Sequence, residues 1–201
     1  MKEEKKKKKL WLRKATIKVK TATAAQEKFY TAKADVIVFH GAKEDERMYA
    51  ATAKTALGAI YNPGIKILFT CNAAPTYSAF EIVLQIKNIL KPLVLAEDII
   101  VEEKGVATEF QFWNGSKIKV IPYRNDTEFD ALAGEEYDWV FVADANALCV
   151  WATALLGSII RGANELPKRL YLLAYTNDEE KWKLLADDMD IPLDKWEIIG
   201  T

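Results

Sequence analysis

A chain of 201 residues, half of them hydrophobic and with a net charge of -1, holds enough apolar material for one sizeable core and at most a small appendage. The charge is uneven: residues 1–20 carry ten Lys or Arg against two Glu, a net +8, which leaves -9 for residues 21–201, so the body has no basic stripe for nucleic acid. No apolar run is long enough for a membrane span, the start MKEEKKKKKL lacks the apolar region of a secretory signal, and the lone His40 with unspaced Cys71 and Cys149 excludes a His-rich or Cys-rich metal site and fits a reducing, cytoplasmic setting.

Residues 1–20 read as a basic arm followed by an edge strand, and residues 21–201 as an α/β domain. Residues 2–9 are Lys and Glu only. They suit a solvated, frayed terminus, a terminus chosen for solubility, or an arm that touches nucleic-acid phosphates. Residues 10–20 alternate partly, as an edge strand does. Thr23 is placed to cap a short helix to Lys33 that carries Gln26. Val36–Phe39 is a short β-branched and apolar run, a buried strand that Gly41 ends. A helix from Glu46 runs to about Ile60 and stops at YNPG. Ile65–Thr70 is a second buried strand. Pro75 and Thr76 open a helix to about Leu90, with Phe80, Val83, Leu84 and Ile86 on or near its apolar face. A short strand follows at Ile99–Val101. Asn114-Gly115 reads as a two-residue type I′ turn joining 109–113 to 117–121. Thr127–Ala133 is a short helix or turn. Trp139–Val142 and Arg169–Tyr175 are buried strands, separated by an apolar helix over Ala145–Ile160. Asp178–Met189 is an amphipathic helix, and Lys195–Ile199 a last short strand. Strands alternating with helices imply an α/β sheet, parallel in its centre, with the strands at 36–39, 65–70, 139–142 and 169–175 side by side.

The stretch DVIVFHGAKEDERMYAATAKTA has the layout strand, glycine turn, helix. That is the layout of a phosphate-binding loop, where backbone N–H groups and a helix N-terminus cradle phosphate oxygens. The full motif is G-x-x-x-x-G-K-[ST]. Counted from Gly41, its second glycine falls on Glu46, its lysine on Arg47 and its hydroxyl on Met48. The architecture is there and most of the chemistry is not.

The order of elements over roughly residues 20–180 resembles the ATPase domain of phage terminase large subunits, the motor that packs viral DNA. HGAKEDERMYAA is similar to that family's phosphate loop in position and length, and IKILFTCNAAPTYSAF to its second strand and helix, with Cys71 where an arginine is common. FQFWNGSKIKVIPYRND resembles its NGS hairpin, LAGEEYDWVFVADANAL its Walker B region, and RLYLLAYTND its coupling strand. The resemblance implies a P-loop NTPase-like three-layer sandwich with a mainly parallel central sheet and an inserted β-hairpin. It implies ATP and Mg²⁺ as ligands of an active form, and DNA and other motor subunits as partners. By position it assigns Gln26 to the adenine, Gly41, Lys43 and Arg47 to the phosphates, Asn177 to the γ-phosphate, and Arg161 or Arg169 as an arginine finger.

The departures fall on the chemistry. The loop lysine neutralises β- and γ-phosphate charge and the hydroxyl holds magnesium. Arg47 brings a forked guanidinium in place of a point charge, and Met48 brings no oxygen. Glu44, Asp45 and Glu46 add anionic charge, and two like charges about 4 Å apart repel by ~4 kcal/mol at an effective dielectric of 20. After the strand VFV come Ala143, Asp144, Ala145 and Asn146, so in either alignment one acid of the Asp-Glu pair is missing. Asp144 is the remaining catalytic candidate, but its position after the strand favours a helix N-cap. Gln26, Asn177 and the two arginines have plain readings too, as solvent contact, turn residue and surface charge.

The expected function is therefore the motor fold without efficient ATP hydrolysis, with no cofactor or metal required. It is either a redesigned sequence on a terminase backbone or a degenerate natural relative. The rival readings are an active ATPase with a non-standard loop, and a nucleic-acid binding module using residues 1–20. An active enzyme has to bring a second acid to Asp144, with Glu102, Asp138 and Asp178 as the candidates.

Overall fold

The computed structural model describes residues 22–41, 43–72, 78–123, 134–148 and 166–200, with Leu132, Leu156 and Ile160 besides. The expectations for residues 1–20, for the helix start at Pro75–Thr76, for Arg161 and for most of 127–133 and 145–160 lie outside the described residues.

In chain order the elements are α1 (Ala24–Thr31), β1 (Val36–His40), α2 (Glu44–Tyr61), β2 (Lys66–Asn72), α3 (Ala79–Leu90), β3 (Ile99–Lys104), β4 (Ala107–Phe112), β5 (Lys117–Tyr123), β6 (Trp139–Val142), β7 (Arg169–Ala174), α4 (Glu179–Met189) and β8 (Trp196–Gly200). The strands form one sheet in the order β3-β4-β5-β2-β6-β7-β1-β8. From β5 to β8 every pairing is parallel, and β3, β4 and β5 pair antiparallel at one edge. The four strands expected to lie centrally do so.

The apolar runs are continuous because both faces of the sheet are covered. On one face Ile37, Phe39, Ile67, Phe69, Phe141 and Tyr171 pack under α1, α2 and α3. On the other, Val36, Val38, Leu68, Val140, Leu170 and Leu172 pack with Trp182, Leu185 and Met189 of α4. The first face carries a ladder of rings. Phe69 stacks on Phe141 at 5.4 Å, Phe141 on Tyr171 at 4.2 Å, and Phe29 on Phe39 at 4.8 Å. Opposite these large groups α2 supplies small ones, Ala50, Ala51, Ala56 and Ala59, so helix and sheet interdigitate. Gly58 is required there: a Cβ would lie 2.4 Å from the Trp139 ring.

Three details differ from the sequence expectations. The apolar face of α3 is Ile82, Val83, Ile86 and Leu90, while Phe80 and Leu84 are exposed. Its N-cap is Ser78, in a capping box with Glu81. Ile99–Lys104 is longer than expected and turns through Gly105 (φ 62) into β4, a hairpin the sequence reading missed.

The second hairpin is also built differently. Gly115 has φ 83 but Asn114 is not in the positive-φ region, so the turn is not type I′. The Gly115 amide donates to Phe112 O and the Phe112 amide to Ser116 O, both at 3.0 Å. This is a three-residue loop with a glycine bulge. Asn114 is engaged elsewhere: its Nδ2 donates to Ala59 O (2.8 Å) and Ile60 O (3.2 Å), which satisfies carbonyls at the end of α2.

Candidate functional site

The site expected from the sequence sits at the carboxy-terminal ends of β1, β6 and β7, the edge where open α/β sheets bind ligands. β7 lies between β1 and β6. The segment after β1 and the turn after β6 therefore flank the end of β7, at Tyr175.

Only residues 41–43 separate β1 from α2. Gly41 makes the turn at φ 81. Lys43 is the N-cap residue, with no side-chain capping bond. The helix starts at Glu44, two residues before the position expected from sequence. Its first turn holds Glu44, Asp45 and Glu46, which favour a helix N-terminus through the dipole. The Glu46 and Arg47 amides already donate to Lys43 O, at 2.9 and 3.0 Å. Met48 is buried in the core. Arg47 is also buried, with its guanidinium carbon 4.9 Å from the Tyr175 ring centroid. His40 is half-buried at the end of β1, its pKa lowered by burial and then by Arg47. Its ring lies over Gly200, where a Cβ would come within 2.5 Å of it.

Gln26 is the third residue of α1 and completes a capping box with Thr23. Its Nε2 also donates to Glu46 O at 3.2 Å, so it ties α1 to the first turn of α2. Beside this contact an open cleft of about 510 Å³ is lined by Thr23, Lys28, Gly41, Lys43, Glu46 and Gly200, among others.

The other half of the site is a closed network. Asp144 adopts the left-handed conformation (φ 58, ψ 42) before a short 3-10 turn, Ala145–Ala147, and makes no capping bond, so the capping reading does not hold. Its Oδ1 accepts from the Tyr175 hydroxyl at 2.5 Å. Glu44 Oε1 lies 3.4 Å from the same hydroxyl. Asn146 Oδ1 accepts from the Tyr175 amide at 2.7 Å, and Lys181 Nζ donates to the carbonyls of Asn146 and Leu148. Asn177 turns away: its Oδ1 accepts from Trp182 Nε1 at 3.0 Å. Cys71, at the end of β2, is buried, and burial and then Asp144 push its thiol up to about 12.

The structure thus places Gly41 and Lys43 in the cleft with Gln26 tied to its Glu46 wall, gathers Arg47 and Asp144 around Tyr175, and engages Asn177 elsewhere. The acid beside Asp144 is Glu44, which the sequence reading missed because 100 residues separate them. Glu102 instead pairs with Lys104 on the edge hairpin at 3.0 Å. Asp178 caps α4. Asp138 is fully buried at the opposite edge, 2.5 Å from Lys168 Nζ. Arg169 opens β7, also at the far edge, with its guanidinium 5.7 Å from the Trp139 ring centroid. Among the described residues no helix is long and apolar enough to cross a membrane.

No protein-family model and no curated protein matches the sequence. Solved structures do match its fold. The large terminase from a thermophilic bacteriophage superposes with a TM-score of 0.61 at 11% identity, over 89% of this chain and 45% of that one. The chain carries the fold of a phage large-terminase ATPase domain. The N-terminal domain of the DNA packaging ATPase from bacteriophage phi29 aligns with a TM-score of 0.56 at 14% identity, covering 87% of this chain and 94% of that domain. The Thermus phage P74-26 large terminase ATPase domain gives 0.55 at 11%, covering 80% and 68%. The chain therefore spans less than half of the thermophilic phage's terminase and nearly the whole of the phi29 domain. The mainly parallel sheet and the antiparallel insertion at its edge are features of a terminase-type fold in this chain.

Proposed function

We propose that this chain is a terminase-type ATPase-fold domain without efficient ATP hydrolysis, a redesigned or inactive version of the DNA-packaging motor fold. The observation that carries the reading is the start of α2 at Glu44. Positions that would wrap a triphosphate are wound into helix, and two of the amides that would meet phosphate oxygens are bonded to Lys43 O. Three acids occupy that turn, and Met48, at the position of the magnesium-binding hydroxyl, is in the core. The residues present do not fit magnesium-ATP. Phosphoryl transfer depends on a cation, a metal and positioned donors at the transferring group. By the same likeness, DNA and other subunits of a packaging motor are the partners the fold is suited to.

A second reading has one observation in its favour. Glu44 and Asp144 converge on Tyr175, which gives an active enzyme with a non-standard loop the second acid it needs.

A phosphate-release assay, with and without DNA, separates the two. Background turnover is the expected result, since one missing stabilising group costs a factor of about 10²–10³. Turnover near ~1 s⁻¹ overturns the proposal. The matched comparison is Glu46→Gly, Arg47→Lys, Met48→Thr, Ala143→Asp and Asp144→Glu combined. Gain of magnesium-dependent ATP binding, read as a rise in melting temperature, supports it.

A further inference from the structure

The opposite edge of the sheet holds a cleft that the nucleotide reading does not use. It lies between the end of α1, α2, the end of α3 and the first residues of β6 and β7. Its volume is about 300 Å³, and Tyr30, Tyr49, Leu57 and Trp139 form much of its wall, with Lys54 and Arg169 as its charged members. No Asp or Glu lines it. Sites of this size with aromatic walls and a few convergent polar groups are suited to small ligands.

The two cations are held in place. Lys54 is buried, and its Nζ donates to Phe29 O at 2.6 Å and Tyr30 O at 3.0 Å. It sits 5.0–5.1 Å from the Phe29 and Tyr171 ring centroids. Burial first, then Arg169, lowers its pKa to about 7, while Glu197 opposes the shift. Arg169 lies over the Trp139 ring with the Tyr171 hydroxyl as its polar neighbour, and its Nε is buried without a well-aligned acceptor among the described residues. A buried donor without an acceptor is uncommon in folded proteins and calls for an explanation. A planar carboxylate matches the geometry of a guanidinium fork.

We propose that this cleft binds a small aromatic carboxylate, its ring against Trp139 and the tyrosines and its carboxylate on Arg169 with Lys54 nearby. A free aromatic acid and the C-terminal Phe, Tyr or Trp of a polypeptide share this chemistry. The site is independent of the candidate nucleotide site, which lies at the other ends of the same strands.

The test is a titration of the intact chain with 3-phenylpropanoate, followed by tryptophan fluorescence and by amide NMR shifts. Saturable binding is expected, at least tenfold tighter than for 3-phenylpropanamide, with shifts centred on Trp139, Leu57 and Arg169. N-acetyl-Gly-Phe is the peptide arm: tighter binding of either acid supports the site and identifies the source. Arg169→Gln should remove the preference for acid over amide. Leu57→Trp, which fills the cleft from a half-exposed position and leaves both cations, should abolish binding of both probes while the melting transition persists. If Arg169→Gln does not fold, Leu57→Trp carries the test. No saturation at millimolar probe in folded protein overturns the proposal. So does equal affinity for acid and amide, or unchanged binding by the folded variants.

Discussion

The two ends of the parallel strands are built on opposite plans. At the carboxy-terminal edge, charged groups are exposed or shared through Tyr175, and acids prevail: Glu44, Asp45, Glu46 and Asp144. At the amino-terminal edge, Asp138 and Lys54 are buried and each is satisfied by named partners. Asp138 accepts from the Lys66 amide at 2.8 Å and from Lys168, which fastens the starts of β2, β6 and β7. Lys54 is fixed by two carbonyls. The difference teaches where this fold keeps its electrostatic constraint. Water screens the acids of the first edge, whereas a buried charge at the second that loses its partner bears its full desolvation cost.

The largest expected effect is on Asp138. Asp138→Ala removes the acceptor of the Lys66 amide and the carboxylate that Lys168 pairs with, and should cost about 3 kcal/mol in a denaturant titration. A loss under about 1 kcal/mol would break the contrast, since it would show that the inner edge tolerates change as a surface does.

Next is the pH dependence set by Lys54. In the fold its pKa is lowered from 10.5 to about 7. Between those values the unfolded chain holds a proton the folded chain has lost, so stability rises with pH across the window. From pH 7 to 9, below the ionisation of the tyrosines, the rise should reach about 2 kcal/mol. Lys54→Met should flatten it. An unchanged slope in the variant would assign the rise to another group.

A smaller loss is expected at the hairpin. Gly115 sits at φ 83, and Gly115→Val places a β-branched residue in the left-handed region, at a cost of about 1–2 kcal/mol. Equal melting temperatures would show that the loop relaxes away from α2.

The smallest effect belongs to the acidic edge. Tyr175→Phe removes one hydroxyl bond to the half-buried Asp144 carboxylate and should change stability by about 0.5–1 kcal/mol. A cost as large as that of Asp138→Ala would place a constraint at the candidate site that its exposure does not explain.

Much of the fold was legible because it rests on runs of one chemistry. VIVF, KILF, WVFV and RLYLLA read as strands since both faces of each are buried and no alternation interrupts them. Thr23 read as a helix cap because a cap is a local bond. The misreadings have local causes too. Asn114-Gly115 suggested a two-residue turn, but the Asn114 amide has a better use on the α2 carbonyls, 54 and 55 residues away. Phe80 and Leu84 read as lying on or near the apolar face of α3, whereas its buried face is set by Ile82, Val83, Ile86 and Leu90.

By itself, then, the sequence determined most of the described strands and helices, the parallel centre of the sheet, and which residue types, Glu46, Arg47 and Met48, follow the turn at Gly41. Those follow from periodicity and residue chemistry, which act over a few positions. Only the tertiary structure decided that Glu44 and Asp144 meet at Tyr175, that Asp138 faces Lys168, and that Lys54 and Arg169 share a cleft with Trp139. Each of these pairs elements distant in the chain. Their meeting is set by strand order and by which side of the sheet a helix covers, and neither leaves a local trace in the residues concerned.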